Sequence, residues 1–360
     1  MMTMFKTYGI TGKRNRAFPR ILAWMGAWIC LLGLTACNRV SGEESEVEEA
    51  YLQKAESEAL SSTACGETVT IPEGGITFVI PQGWQYEQRQ QGYLNIRPVE
   101  QSMVELSVRW FYRTGSVQEY QEMLKRAWRE TVSDFDETLD VTPASVGALE
   151  GFVMTFQQSS DDYKAVCYQD YTLWDSATQM YYNILFVGAQ EDFKKNAETV
   201  EALLDSFVIN PPEAPSTQTY SDAEQGVSFS YDGKWRLLDT DTVTILAPDL
   251  LSTISLECTR SQETLSNDAI MEEAEKMILE STSNPRDIVL ESTTILGYDG
   301  VRGNFAAEYQ SYEDMAEAVY QFYIFYAEGM RYYLIYASTP EQFDTYLPEL
   351  EHVIETLSLA

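Results

Sequence analysis

The strongest candidate for a chemically modified residue is a cysteine, Cys37, at the end of an apolar run. Residues 21–34 read ILAWMGAWICLLGL, and residues 1–36 contain five basic side chains and no acidic one. A basic start followed by a short apolar run is typical of a secretory signal. The run is shorter than the ~20 residues that a helix needs to cross a bilayer. The pattern predicts a signal peptide over 1–36, with Cys37 first in the mature chain.

The run ends in Leu34-Thr35-Ala36-Cys37, which resembles the lipobox of bacterial lipoproteins. The resemblance implies that the Cys37 thiol carries a diacylglyceryl thioether and that its new amine is acylated too. Two or three acyl chains hold a protein on a membrane where one would be marginal. The alternative is an uncut signal anchor in which Cys37 is an ordinary thiol. Both interpretations place the rest of the chain on the extracytoplasmic face of the cell membrane.

Other residue types offer little catalytic chemistry. His352 is the only histidine, so a histidine triad or a multi-histidine metal site is excluded, and no metal or other cofactor is expected. Among 56 acidic residues, a carboxylate pair at glycosidase spacing arises by chance and carries little weight. The three cysteines left besides a lipidated Cys37 are Cys65, Cys167 and Cys258. Buried thiols are favoured for the last two, and a bridge between Cys65 and Cys167 stays open.

Aromatic residues provide the candidate binding surface. Tyr332, Tyr333 and Tyr336 fall in one strand-like segment, and we expect them to form an exposed patch that a partner would contact. Trp84 and Trp235 recur after the first strand of two similar segments, so a shared packing role is favoured over ligand stacking.

The charge balance excludes one class of partner. Cleavage after Ala36 leaves 19 basic against 56 acidic residues, a net charge of −37. Such a polyanion is repelled by nucleic acid and by anionic lipid surfaces, so we expect no nucleic-acid partner. The remaining partners are the membrane, through the N-terminal lipid, and an envelope protein or ligand that the sequence does not identify.

The chain contains an internal duplication. GITFVIPQGW from Gly75 matches GVSFSYDGKW from Gly226, and EDFKKNAETVEALLDSF from Glu191 matches EQFDTYLPELEHVIETL from Glu341, at nearly the same offset. One offset held across both segments indicates duplicated domains. The predicted divisions are a signal peptide (1–36), an acidic tether (37–74), repeat 1 (75–209), a Pro-rich linker (210–225) and repeat 2 (226–360).

The order of elements predicts the fold class. Each repeat shows short strands, one helix, a run of strands and a last helix, and the first helix is predicted over 117–132 with Ser116 as its cap. VYQFYIFY at 319–326 is apolar on both strand faces, which indicates a sheet covered on both sides. We therefore predict an α+β protein of two tandem α/β/α sandwich domains, each a mainly antiparallel sheet with helices on both faces.

The opening ITFVIPQGW or VSFSYDGKW, the strand-rich middle and the closing YYLIYASTPEQFDTYLPELEHVIETL together resemble PsbP-like domains, which include the bacterial DcrB-like lipoproteins. The resemblance spans both repeats and implies a binding or accessory role without a shared catalytic set. We therefore predict a non-catalytic, lipid-anchored extracytoplasmic binding protein of the cell envelope. Two alternatives stay open, an envelope ligand carrier with an apolar pocket and a cell-wall polymer hydrolase that uses paired carboxylates.

Overall fold

The computed structural model describes residues 66–360, except 91, 101, 161–163, 239–241, 262, 312–313 and 360. The predicted signal peptide, Cys37 with its lipobox, Cys65 and most of the predicted tether lie outside the described residues. In the described part the chain forms two similar units, domain 1 with strands β1 to β10 and domain 2 with strands β11 to β20.

Domain 1 contains three α-helices and two sheets. Its strands are β1 (Thr68–Ile71), β2 (Ile76–Val79), β3 (Trp84–Gln90), β4 (Tyr93–Pro98), β5 (Val104–Tyr112), β6 (Asp140–Val146), β7 (Leu149–Ser160), β8 (Lys164–Asp175), β9 (Met180–Ala189) and β10 (Val208–Ile209). Its helices are α1 (Val117–Thr131), α2 (Phe135–Thr138) and α3 (Gln190–Asp205), and a 3₁₀ turn spans Pro72–Gly74.

Domain 2 repeats this order without a counterpart of α2. Its strands are β11 (Thr217–Asp222), β12 (Val227–Asp232), β13 (Arg236–Leu238), β14 (Val243–Leu246), β15 (Thr253–Arg260), β16 (Ser283–Ile295), β17 (Tyr298–Ser311), β18 (Asp314–Ala327), β19 (Met330–Ser338) and β20 (Ser358–Leu359). Its helices are α4 (Asn267–Ser281) and α5 (Phe343–Thr356).

The main sheet of each domain has seven antiparallel strands within the described residues. Their orders are β3-β4-β5-β9-β8-β7-β6 and β13-β14-β15-β19-β18-β17-β16, so the two sheets have the same topology. A three-stranded sheet accompanies each of them, with the orders β1-β2-β10 and β11-β12-β20. The short last strand of each small sheet directly follows the last helix of its domain, which ties that helix to the start of the domain.

Helices cover both faces of each main sheet, as the two-sided strands predict. On β9, alternate residues such as Ile184 and Phe186 pack in one core with α3, while Leu185 and Val187 pack in another with α1. In domain 2 the corresponding cores contain residues of α5 on one face and of α4 on the other. The α+β fold class with tandem antiparallel sandwiches is therefore confirmed.

The predicted helix cap at Ser116 is present. Ser116 Oγ accepts the backbone N–H of Glu119 at 3.2 Å, and the Ser116 N–H donates to Glu119 Oε2 at 2.8 Å, which forms a capping box. One stripe of α1 is buried and consists of Tyr120, Leu124 and Trp128 at intervals of one turn. The cap sets where α1 begins, and the stripe sets which face it turns to the sheet.

Two predicted boundaries are corrected. β1 lies inside the segment predicted as tether, and β11 lies inside the segment predicted as linker. Each is the outer strand of a small sheet and pairs with the strand after it, β1 with β2 and β11 with β12. The sequences of both strands are largely polar because exposed positions alternate with buried or half-buried ones, and for this reason both were predicted to lie outside the domains. The connection between the domains is thus confined to residues 210–216.

Candidate functional site

The two domains contact each other through the α1 face of domain 1. Leu246 and Leu250 of domain 2 are buried in the same cluster as the α1 stripe. The backbone N–H of Thr114 donates to the Pro248 carbonyl at 3.0 Å. Arg236, the first residue of β13, places its guanidinium carbon 5.4 Å from the centre of the Phe111 ring. Apolar, hydrogen-bonding and cation–π contacts therefore all join the domains at this face.

A cleft of about 210 Å³ lies beside this contact. It is lined by residues of domain 1, of the connection and of the β12–β13 turn: Glu73, Gly92, Trp110, Phe111, Tyr112, Met180, Pro212, Glu213, Pro215, Gln218, Gly233, Lys234, Trp235 and Arg236. The aromatic residues are largely buried, while Lys234, Glu73 and Glu213 are exposed at the rim. The cleft therefore combines apolar walls with a charged mouth.

The connection between the domains forms one wall of the cleft and is fixed by hydrogen bonds. The Tyr112 hydroxyl donates to the Pro212 carbonyl at 3.1 Å. On the domain 2 side, Gln218 Nε2 donates to the Gly233 carbonyl at 2.9 Å, and Lys234 Nζ reaches Gln179 Oε1 of domain 1 at 3.4 Å. These bonds hold the connection and the β12–β13 turn in place around the cleft.

Behind the cleft, the α1 face of the domain 1 sheet carries a strip of buried polar side chains, here called the polar strip. Strand pairing places its members in two adjacent rows, because directly paired residues share a face of the sheet. The first row runs across β4, β5, β9 and β8 and contains Asn95, Ser107 and Asp170, with Leu185 between the last two and the half-buried Glu87 of β3 opposite Asn95. The second row crosses β5, β9 and β8 and contains Arg109, Asn183 and Thr172.

Asp170 is the centre of hydrogen bonding in the polar strip. It is 1% exposed and accepts the Trp128 indole N–H at 2.7 Å and an amide N–H of Asn183. Burial raises the pKa of the Asp170 carboxyl to about 6, although both hydrogen bonds and the charge of Arg109 act in the opposite direction. A carboxyl in this state holds its proton more readily than a surface aspartate.

Three arginines lie in or beside the polar strip: Arg109 is a member of it, and Arg113 and Arg236 are its neighbours. Arg109 lies over the Tyr93 ring at 5.2 Å, and Arg113 lies over the Tyr120 ring at 5.2 Å and donates to the Ser116 carbonyl at 3.1 Å. Burial, and next the charge of Arg109, lower the pKa of Arg236 to about 10. Among the described residues, no carboxylate forms an ion pair with Arg109 or Arg236.

Two buried polar side chains of the strip lack hydrogen-bond partners within the described part of the chain. Neither Nδ2 nor Oδ1 of Asn95 has a partner, and the residue is 1% exposed. The Thr172 hydroxyl, which is fully buried, also has none. Since an unpaired buried polar group costs on the order of 1–3 kcal/mol, this region is built less favourably than a plain core.

The predicted tyrosine patch does not exist as a surface. Tyr332, Tyr333 and Tyr336 are 2%, 4% and 0% exposed. Their strand, β19, is the central strand of its sheet and is covered on both faces. Tyr332 stacks on Phe325 at 4.9 Å, and the Tyr336 hydroxyl donates to the Phe343 carbonyl at 2.7 Å. The prediction of exposure was wrong because a two-sided strand has no solvent face.

The remaining candidates have structural positions. Trp84 is buried in the α3-side core and Trp235 in the α5-side core, so both have the predicted packing role, and Trp235 also lines the cleft. Cys167 is buried and Cys258 half-buried, and both are free thiols. His352 is half-buried on α5 and is not among the residues that line the cleft. Within the described residues no group of three metal-binding side chains occurs, and no helix has the length and apolarity to span a membrane.

Sequence reasoning missed the polar strip, although a signal was present. Arg109, Asp170 and Asn183 stand in otherwise apolar or aromatic strand segments, VRWFY, YQDYTLW and YYNILFV. A charge within a strand predicted to be covered on both faces must be buried and needs a partner. The interface role of Arg236 has no such signal, because it depends on how the domains meet.

No protein-family model and no curated protein matches the chain. Among solved structures, it is similar to cyanobacterial PsbP (CyanoP) from Synechocystis sp. PCC 6803, with 14% identity, a TM-score of 0.31 and coverage of 40% of this chain and 93% of that one. The Ran-binding protein Mog1p from Saccharomyces cerevisiae has 13% identity, a TM-score of 0.26 and coverage of 41% and 96%.

The immunity protein TplEi of a type VI secretion system from Pseudomonas aeruginosa has 9% identity and a TM-score of 0.26, and the match covers 81% of this chain and 96% of that one. A PsbP structure is thus among the matches. At these identities and TM-scores the matches carry no conclusion about activity or partner. The α+β fold described above is taken from the coordinates of this chain.

Proposed function

We propose that this chain is a non-catalytic binding protein, anchored by a lipid on Cys37 to the extracytoplasmic face of a cell membrane, and that it binds its partner in the cleft between its two domains. The cleft carries the proposal. It is the place where aromatic walls from Trp110 and Trp235 meet cationic side chains from Lys234 and Arg236. Sites at domain interfaces that combine apolar walls with a few polar groups are typical of ligand and partner binding.

The position of the carboxylates favours binding over hydrolysis. Glu73 and Glu213 line the cleft but are exposed, whereas the acid of a glycosidase lies in a buried, apolar setting. Asp170 is buried and has a raised pKa, but it is hydrogen-bonded to Trp128. A wall-polymer assay on wild-type protein and on the Glu73→Gln and Glu213→Gln variants tests this. Turnover that either substitution abolishes would establish the hydrolase alternative and refute the proposal.

The anchor is tested separately from the cleft. Cys37→Ala in full-length protein is expected to abolish incorporation of a labelled fatty acid, because no thiol remains at the predicted attachment point. Cys258→Ala is the matched control, since Cys258 is half-buried in domain 2. Label that persists in the Cys37→Ala protein would contradict the anchor.

Crosslinking in intact cells tests the cleft. A photoreactive amino acid at Lys234, which is exposed at the mouth, is expected to yield a discrete adduct after irradiation. The control places the same amino acid at Leu279, an exposed residue of α4 that is outside the cleft. Adducts at Leu279 as strong as those at Lys234, or none at either position, would contradict a partner in the cleft.

One observation favours the ligand-carrier alternative. An open groove of about 440 Å³ lies between β2 and α3, with mostly apolar walls that include Val79, Ile80 and Leu203. Native mass spectrometry of protein taken from membrane extract would detect a copurified apolar molecule. Loss of that molecule in an Ala202→Trp variant, which fills the groove from α3, would establish the carrier role.

A further inference from the structure

We propose that Arg109 and Arg236 together bind one small oxyanion, a carboxylate, phosphate or sulfate group, where the two domains meet. The inference rests on the binding function proposed above and names the chemistry that one end of the cleft recognises. A free anion and the anionic end of a larger molecule present the same group to this site.

Strand geometry brings the two guanidinium groups to one place. Arg236 lies over the ring of Phe111, at 5.4 Å from its centre. Phe111 and Arg109 are two residues apart on β5, so they share one face of the sheet at a spacing of about 7 Å. Arg109 is 8% exposed, and Arg236 also lines the cleft, so Arg236 connects the buried Arg109 with the cleft.

The protein offsets the charge of this pair only in part, through the electrostatic attraction between Asp170 and Arg109. Two guanidinium groups on one face repel each other, and within the described residues neither forms an ion pair. The buried carboxylate of the neighbourhood, Asp170, is already bonded to Trp128 and Asn183. In a chain with 56 acidic residues, this incompletely offset positive pair is a local exception that one oxyanion would balance.

Asn95 supplies a second, independent observation. Its side chain is 1% exposed, both its amide atoms lack hydrogen-bond partners among the described residues, and it occupies the row next to Arg109 on the same face. Ser107 lies directly opposite it on β5. An amide N–H and a hydroxyl beside two arginines are donors of the kind that oxyanions accept.

Domain 2 shows what the same place looks like without such a site. Thr244 and Ser255 pair across β14 and β15 and bond each other at 3.0 Å. Arg331, the buried arginine of this domain, donates to Glu273 at 3.1 Å. The pair equivalent to Asn95 and Ser107 is therefore bonded internally in domain 2, although Nε and Nη2 of Arg331 lack partners among the described residues.

The binding test uses the full chain in detergent and three probes, sodium phosphate, sodium sulfate and sodium succinate. Each is titrated at constant ionic strength against sodium chloride, with the melting temperature and the heat of binding as readouts. Because an anion that binds only the folded state stabilises it, we expect the melting temperature to rise with at least one probe and not with chloride. A larger rise in melting temperature with phosphate and sulfate than with succinate would indicate a tetrahedral ligand. A larger rise with succinate would indicate a carboxylate. No rise with any probe would overturn the proposal.

Substitutions locate the site. Arg109→Gln and Arg236→Gln are each expected to weaken binding of the preferred probe at least tenfold. Arg129→Gln is the matched control, since Arg129 is an exposed arginine of domain 1 bonded to Asp136, and its affinity should equal that of wild type. Equal affinity in wild type and Arg236→Gln would overturn the proposal, and this variant answers the question even if Arg109→Gln fails to fold.

Asn95→Asp provides a test that keeps both arginines. The new carboxylate of the variant would take the place of the bound anion beside the arginines. The probe should then no longer raise the melting temperature, and the variant in chloride should melt at a higher temperature than wild type. Probe binding as strong as in wild type would contradict the assignment. If the anion tests fail while Lys234 still crosslinks a partner, this inference is wrong and the proposed function stands; if both fail, both are wrong.

Discussion

The two domains share one topology but differ in what lies beneath their first long helix. In domain 1, α1 covers a hydrogen-bonded group made of Asp170, Trp128 and Asn183. In domain 2, the residues that α4 covers at the equivalent place, among them Phe322 and Ile278, belong to an apolar and aromatic cluster. Duplication has therefore kept the scaffold, while within the described residues a fully buried carboxylate, with the free-energy cost of its burial, occurs in domain 1 alone.

Aromatic stacking shows that Asp170 of domain 1 and Phe322 of domain 2 occupy equivalent positions. Tyr168 stacks on Phe156 at 4.8 Å in domain 1, and Tyr320 stacks on Phe305 at 4.5 Å in domain 2. Asp170 follows the first tyrosine by two residues, and Phe322 follows the second by two residues. A carboxylate in one copy thus stands where a phenyl ring stands in the other.

The neighbouring residues fit this exchange. Gly303 is directly opposite Phe322 on β17, and a Cβ at Gly303 would lie 2.1 Å from the Phe322 ring. In domain 1, Met154 is opposite the smaller Asp170. Gly303 leaves space for the Phe322 ring. The two domains therefore differ at two facing positions, with glycine and phenylalanine in domain 2 where domain 1 has methionine and aspartate. This pattern indicates that a packed core is the structural solution and that the polar strip of domain 1 serves another purpose.

Placing the carboxylate of domain 1 into domain 2 should produce the largest effect. Phe322→Asp removes a buried ring and buries a carboxylate beside Ile278, with no indole or amide donor. We expect a loss of about 5 kcal/mol or more in the free energy of unfolding, measured by urea denaturation. Phe322→Leu, which keeps the site apolar, should lose much less. A Phe322→Asp protein as stable as the leucine variant would break the comparison.

The pH dependence of stability should carry a contribution from Asp170 of domain 1 that the equivalent Phe322 of domain 2 cannot make. The pKa of Asp170 is raised from 3.8 to about 6 in the folded protein, so between these values the folded chain holds a proton that the unfolded chain has lost. The free energy of unfolding therefore falls as the pH rises from about 4 to about 6, by on the order of 2–3 kcal/mol, and levels off above that range.

The measurement is the difference between wild type and Asp170→Asn across this pH range, because the exposed carboxylates cancel in the difference. Asparagine does not titrate, so the difference should show the fall and its end near pH 6. A flat difference would mean that the carboxyl is not perturbed by burial.

A smaller effect is expected from the indole N–H alone. Trp128→Phe keeps an aromatic ring in the α1 stripe but removes the donor 2.7 Å from Asp170, which should cost about 1–3 kcal/mol. The cost should be greater at pH 8 than at pH 5, because the ionised carboxylate needs the donor more. Ile278→Val at the equivalent place in α4 should cost about 0.5–1.5 kcal/mol at both pH values. A pH-independent cost at Trp128 would indicate a packing role only.

The smallest expected difference lies in the helix caps. Ser116 forms a two-way box with Glu119, whereas Ser266 of α4 only accepts the N–H of Ala269, at 3.3 Å. Ser116→Ala should cost about 1–2 kcal/mol and Ser266→Ala about 1 kcal/mol or less in urea denaturation. A larger loss at Ser266 would show that the reciprocal bond adds nothing.

The sequence predicted the frame of this protein better than its site. The repeat, the capped α1, the paired terminal helices and the two-sided strands follow from local periodicity, since a helix or strand carries its own burial pattern along the chain. The small sheets were missed because β1 and β11 are short strands in polar segments. The tyrosines of β19 were placed on the surface because their type was read without the burial that their strand imposes.

Local pattern also predicted the segment boundaries, from the lipobox-like motif at Cys37 to a Pro-rich linker over 210–225, which the structure confines to 210–216. Only the tertiary structure decided that Arg236 meets Arg109, that Asp170 meets Trp128 and that a cleft opens between the domains. Those contacts join residues far apart in the chain, and they depend on strand register and on the docking of one domain against the other. Periodicity shows which side of an element is buried, whereas only packing shows which distant residues share that buried space.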